Sequence, residues 1–83
     1  MYLIEMMPKA IKDLKGFPKS DARKVVGKIK ALENGLTGDT KKLTNFSPEY
    51  RLRVGNYRVL FEIENQKIII YRVKHRKEAY LQR

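Results

Sequence analysis

Cysteine is absent from this 83-residue chain, which excludes disulfides, thiolate nucleophiles and cysteine-based metal sites. Histidine occurs once, at His75, so a structural zinc site lacks its other common ligand as well. No apolar run approaches the roughly 20 residues needed to span a bilayer. The start, Met1-Tyr2-Leu3-Ile4-Glu5, lacks the charged opening and long apolar stretch of a signal peptide. Acidic residues are scarce: nine Asp and Glu stand against nineteen Lys and Arg, a formal net charge of +10. These shortages describe a cytoplasmic protein with no expected metal, cofactor or membrane partner.

What remains suffices for a fold. A hydrophobic fraction of 42% argues against disorder, and residues 1–83 make one domain with a modest core. A charge of +10 repels itself in the compact state, so an anionic partner is expected. Nucleic acid, an anionic surface or an acidic protein would each serve.

Tyr2, Ile4 and Met6 alternate with Leu3 and Glu5, which suits a first strand ending before Pro8. Pro8 fits the first turn of a helix, where its missing N–H is not needed. Ala10, Ile11 and Leu14 recur at helical spacing until Gly16 supplies a stop. Pro18 opens a second helix, with Ser20 and Asp21 available near its positive end. Ala22, Val25, Val26, Ile29 and Leu32 fall on one face of it, and Asn34-Gly35 ends it. Lys19, Arg23, Lys24, Lys28 and Lys30 take most of the remaining surface, either as a solvated helix face or as a binding surface.

Residues 35–49 read as a connecting loop anchored by Leu43 and Phe46. Three strands follow, at 51–54, 57–64 and 68–74, with Gly55-Asn56 as a two-residue turn and a second turn at Asn65-Gln66. Residues 75–83 are short, charged and compatible with a helix. The expected fold is α+β, in the order β-α-α-β-β-β. A helical hairpin packs on one face of a small, mostly antiparallel twisted sheet, followed by a short C-terminal segment. The other sheet face is left for function.

The Gly55-Asn56 turn sets Arg53 opposite Arg58 and sends Arg51, Arg53 and Arg58 to the face away from the core. Like charges about 5 Å apart repel on a bare sheet, so an anion between them would explain the pair. For the last strand a three-residue turn is expected, with Ile69, Tyr71 and Val73 inward and Arg72 and Lys74 joining the arginines. A two-residue turn would bury Arg72, at higher cost. Arginine suits phosphate because its planar fork donates parallel hydrogen bonds and keeps its charge.

Leu43 with the run Pro48-Glu49-Tyr50-Arg51-Leu52-Arg53-Val54-Gly55-Asn56-Tyr57-Arg58-Val59 resembles the central signature of RelE-type toxins of type II toxin–antitoxin modules. Val73-Lys74-His75-Arg76-Lys77-Glu78-Ala79-Tyr80 is similar to that family's C-terminal element, so the resemblance covers nearly the whole chain. It implies a metal-independent endoribonuclease that cleaves mRNA in the ribosomal A site through attack of the 2′-OH on the adjacent phosphate. The expected partners are the ribosome, mRNA and a cognate acidic antitoxin that wraps the toxin.

Carried across, the resemblance places Arg51, Arg53, Arg58, Arg76, Tyr80 and His75 in the catalytic site, with Arg72, Lys74 and Lys77 as RNA contacts. Lysine occupies the positions of Arg51 and Arg53 in some members. Arginine does not readily give up its proton, so electrostatic stabilisation fits these two better than general-base work. His75 is either an acid or base or a surface histidine. Tyr80 stacks on a base or helps position the nucleophile, or else anchors the tail as a core residue. Two other functions share the fold: a ParE-like inhibitor of DNA gyrase that cleaves nothing, and a basic ribosome or RNA binder without catalysis.

Overall fold

The computed structural model describes residues 1–79. Strand β1 (Leu3–Met6) leads through Met7 into helix α1 (Pro8–Lys15), and Gly16 and Phe17 connect to helix α2 (Lys19–Ala31). One 3₁₀ turn (Leu32–Asn34) closes the helical half. Four strands follow: β2 (Thr40–Lys42), β3 (Tyr50–Val54), β4 (Tyr57–Glu64) and β5 (Lys67–His75). They form one sheet in the order β1-β5-β4-β3-β2, with β1 parallel to β5 and the other neighbours antiparallel.

Local chemistry accounts for the helix ends. Pro8 occupies the first turn of α1, and at its end the Gly16 N–H donates to the Asp13 carbonyl and the Phe17 N–H to the Leu14 carbonyl. Pro18 precedes α2, which has no side-chain cap; Asp21 lies in its first turn, where a negative charge complements the helix dipole. The helices place Ala10, Val25 and Ile29, with Leu32 just beyond, against Leu52, Val54, Val59, Phe61, Ile68, Ile70 and Val73 of the sheet. Phe61, Leu32 and Leu52 are among the largest fully buried side chains, each contributing about 1.5–3 kcal/mol by burial. Ile11 and Val26, read as members of the apolar helix faces, are instead 42% and 46% exposed.

Residues 40–42, expected in a loop, form an edge strand. Thr-Lys-Lys has almost no apolar content, and the strand exists because β3 supplies a partner: Thr40 faces Leu52 and Lys41 faces Arg51. Leu43 and Phe46 are only half-buried.

The last strand also departs from expectation. Glu64 pairs with Lys67, so the turn has two residues, Asn65 and Gln66, and Ile68 and Ile70 point into the core. That register would have buried Arg72. It does not, because the register shifts between Leu60 and Phe61: Ile70 faces Phe61, Arg72 faces Leu60, and Tyr71 is the extra residue of a β-bulge. Val73 therefore returns to the core. Leu60 and Ile69, on the sheet face away from the helices, are also buried at 3% and 8% exposure, so that face is open only in part.

Candidate functional site

The first central residue of the β3–β4 turn, Gly55, has φ 57°, which suits glycine in a type II′ hairpin. The turn fixes the pairs Val54–Tyr57, Arg53–Arg58 and Leu52–Val59, as its two residues predict. Arg51, Arg53 and Arg58 consequently lie on the face away from the helices. The β4–β5 register adds Lys74 directly beside Arg58.

The opposed arginines do not require an anion at rest, although their like charges suggest one. Each finds its own acceptor. Arg58 folds back over the hairpin, where its Nη1 donates to the carbonyls of Gly55 and Tyr57 at 2.9 Å each. Arg53 Nη2 lies 3.4 Å from Oδ1 of Asp39, and Arg51 Nη1 donates to the Asp39 carbonyl at 2.8 Å. A guanidinium has five N–H donors, and these bonds use few of them. What the face can do chemically is hold a phosphate oxygen, or the extra charge on phosphorus as a nucleophile attacks.

Asp39 carries no local sequence signal. It reaches the cluster because the Arg53 N–H donates to its carbonyl at 3.0 Å, continuing the β2–β3 ladder by one pair. An acidic residue just before a strand could be placed there only once the edge strand itself was recognised.

Arg72 stands apart from this cluster. It reaches round the free edge of β5 to α1, donating from Nε to Asp13 Oδ2 at 2.8 Å and from Nη2 to Oδ1 at 2.9 Å. The Val73 N–H donates to the same carboxylate at 2.9 Å. Burial alone would raise the Asp13 pKa above 3.8. The Arg72 and Val73 hydrogen bonds and the charges of Arg72 and Lys74 outweigh it, and the value is lowered. Arg72 is raised in turn, chiefly by its bond to Asp13.

His75 also departs from the arginine group. It pairs with Tyr57, on the helix-facing side, and their rings meet edge to face with centroids 6.0 Å apart. Its Nδ1 accepts the Lys77 N–H at 3.2 Å, so the neutral ring carries its proton on Nε2. Tyr57 donates its hydroxyl to Asp21 Oδ2 at 2.7 Å and packs on Phe17, tying β4 to α2 and to the connection that precedes it. That hydrogen bond, then burial and the Asp21 charge, raise the Tyr57 pKa above 10.0.

Arg76 is exposed at the turn after β5, and its N–H donates to the Asn56 carbonyl at 2.7 Å, which brings the tail beside the hairpin tip. Lys77 is exposed next to it, and Tyr80 lies outside the described residues. Among the described residues, no three His, Asp or Glu side chains gather as a metal-ligand set, and no helix is long and apolar enough to cross a membrane.

The chain and its fold match known toxins. A family model described as ParE toxin of type II toxin-antitoxin system, parDE, covers residues 4–80. Toxin RelE3 of Methanocaldococcus jannaschii is 37% identical over 75 residues, spanning 84% of this chain and 85% of that protein. The chain belongs to the ParE toxin family of type II toxin–antitoxin systems, and within it is a RelE-type toxin.

Two solved structures carry the same fold at useful identity. The RelB–RelE antitoxin–toxin complex from Methanococcus jannaschii aligns with a TM-score of 0.75 and 34% identity, over 92% of this chain and 94% of that one. The archaeal RelE–RelB complex from Pyrococcus horikoshii OT3 aligns at 0.77 and 27%, over 94% and 98%.

Proposed function

We propose that this toxin is a metal-independent, ribosome-dependent endoribonuclease that cleaves mRNA in the A site and so stops translation and growth. The observation that carries the reading is the gathering of Arg51, Arg53, Arg58 and Lys74 on one sheet face. In the reaction the 2′-oxygen forms a bond to the adjacent phosphorus while the bond to the 5′-oxygen breaks. The 2′-OH loses a proton and the leaving oxygen gains one. The products are a 2′,3′-cyclic phosphate and a 5′-OH.

Arg51, Arg53 and Arg58 hold the charge that builds on the phosphate, each worth on the order of 10²–10³ in rate when preorganised. Arg76, at the hairpin tip, extends this positive surface, with Lys74 and Lys77 contacting flanking phosphates. Arg72 is held by Asp13 and serves the fold in this reading. His75, on the helix-facing side with Nδ1 engaged by the Lys77 N–H, stands outside the arginine face and serves the fold in this reading; Tyr80 stacks on a base or positions the nucleophile.

The partner is a cognate antitoxin. It is acidic, because a surface of +10 steers and complements negative charge. Support comes from the archaeal relatives that were solved as complexes with RelB.

A second reading has its own observation: the matching family model is that of ParE toxins. A ParE-like protein would bind DNA gyrase and cleave nothing. Primer extension on mRNA from a translating extract separates the two. Cuts within ribosome-occupied codons are expected; growth arrest without such cuts would overturn the nuclease reading.

A further inference from the structure

On the far side of β3 from the arginine face, a trough of roughly 790 Å³ separates α2 from the hairpin tip. Arg23, Lys24 and Lys28 rise from the helix, and Arg53 forms the facing wall with Val54 and Gly55. The floor is low because Gly27 and Ala31 follow Arg23 at successive steps of four along the helix. A Cβ added at Gly27 would meet nothing within 4 Å.

Lys24 and Lys28 are four residues apart, a spacing at which like charges on a helix repel. Asp39 is the single acidic residue among those lining the trough, and the first-turn acid of α2, Asp21, is occupied by Tyr57. A merely solvated lysine face would explain the helix but not the arginine opposite it. Arg53 belongs to both surfaces. Its side chain is 57% exposed, and the Asp39 carboxylate rests against it at 3.4 Å, marking where an anionic oxygen sits.

We infer that this trough is a second phosphate-binding subsite, which takes the RNA backbone as it leaves the arginine face, and that Asp39 is the resting occupant an incoming phosphate displaces from Arg53. The inference rests on the reading that the chain works on RNA. Phosphodiester oxygens fit because four cationic residues, Arg23, Lys24, Lys28 and Arg53, line the trough against the single carboxylate of Asp39. Exposed ion pairs such as Arg53–Asp39 are weak, so the exchange is easy.

The test uses the full chain and a fluorescent single-stranded RNA with 2′-O-methyl sugars, which offers phosphates but no nucleophile. Binding is read by anisotropy across a salt series. Removing the cation that neutralises one phosphate flattens the salt slope by about 0.7 for single strands and weakens binding roughly fivefold near 0.1 M salt. Lys24→Gln with Lys28→Gln is expected to weaken binding by roughly 20-fold and to flatten the slope by about 1.4.

Gly27→Glu, which the open space tolerates, weakens it by about fivefold while Gly27→Ala does not. Asp39→Asn keeps the backbone hydrogen bonds of residue 39, removes its charge and tightens binding a few-fold. Wild-type affinity and slope in both Lys24→Gln/Lys28→Gln and Gly27→Glu would overturn the subsite, as would variants that weaken only antitoxin binding. Cleavage is scored separately. Weakened binding in a protein that makes no ribosomal cuts keeps the trough and removes the nuclease; cuts with unchanged binding remove the trough alone.

Discussion

Asp13 and Arg72, 59 residues apart in sequence, meet through two parallel hydrogen bonds of 2.8 and 2.9 Å. β1 pairs with β5 only as far as Ile70, so the Val73 N–H points off the strand edge without a strand partner. The same carboxylate accepts it. One acidic side chain thus completes the sheet edge and anchors α1.

Asp13→Ala removes all three bonds and leaves Arg72 and the Val73 N–H unpartnered. The pair is partly exposed, with side-chain exposures of 33% for Arg72 and 16% for Asp13, so the loss is discounted to about 1–3 kcal/mol. Thermal melts should fall by roughly 5–20 °C for a chain of this size. Because the folded Asp13 pKa lies below 3.8, this stabilisation is complete above the unfolded value and is lost as pH falls through the folded one. The gap between wild type and Asp13→Ala should therefore be full at pH 7 and close under acid, below about pH 4.

The Tyr57–Asp21 bond predicts the opposite limb. Tyr57 is raised above 10.0, so its contribution is present below the unfolded pKa and fades as pH rises through the folded one. In denaturant titrations from about pH 8 to 11, a range that brackets tyrosine ionisation, Tyr57→Phe should lose part of the wild-type decline at high pH. An unchanged alkaline profile would mean that the bond adds nothing to stability.

Arg58→Ala tests the reactive face. Its side chain bonds to turn carbonyls and lies off the core, so melting should change by less than about 1 kcal/mol. Cleavage should drop on the order of 10²–10³-fold and toxicity should vanish. A folded, expressed Arg58→Ala that still arrests growth fully would remove it from the site.

Antitoxin association should weaken as ionic strength rises from about 50 to 500 mM, because opposite charges drive it and salt shortens their reach. Surface plasmon resonance would show this mainly as a slower on-rate. An affinity indifferent to salt would assign the complex to apolar burial instead.

Much of this molecule can be read from its residues. The proline–glycine punctuation around α1 and the start of α2, and the Gly55-Asn56 hairpin with its Arg53–Arg58 pairing, rest on local chemistry that a sequence displays. The RelE-type family was also legible, in the arginine hairpin and the His75-Arg76 tail. The misses share one cause: they depend on partners far along the chain. β2 has no apolar pattern of its own and exists because β3 pairs with it. The inward residues at the start of β5 are Ile68 and Ile70 because the turn has two residues, a register that a bulge at Tyr71 makes possible by returning Val73 to the core, and nothing in Ile-Ile-Ile-Tyr-Arg-Val announces that bulge. Asp39 and Asp13 were invisible as partners of Arg51, Arg53 and Arg72 because no spacing rule links a loop or helix acid to a strand base.

The bulge at Tyr71 also divides β5 into two independently editable pieces. Upstream of it, inward positions answer to the helices; downstream, the phase is reset, which turns Arg72 and Lys74 outward together and keeps Val73 in the core. Positions 68 and 70 can thus vary with packing while 74 and 76 vary with the anion they meet, and a mutation in one half leaves the facing of the other unchanged. Removing that single residue would turn every side chain after it to the wrong side. The extra residue lets a chain this short keep its stability and its target recognition on one strand as separately tunable traits.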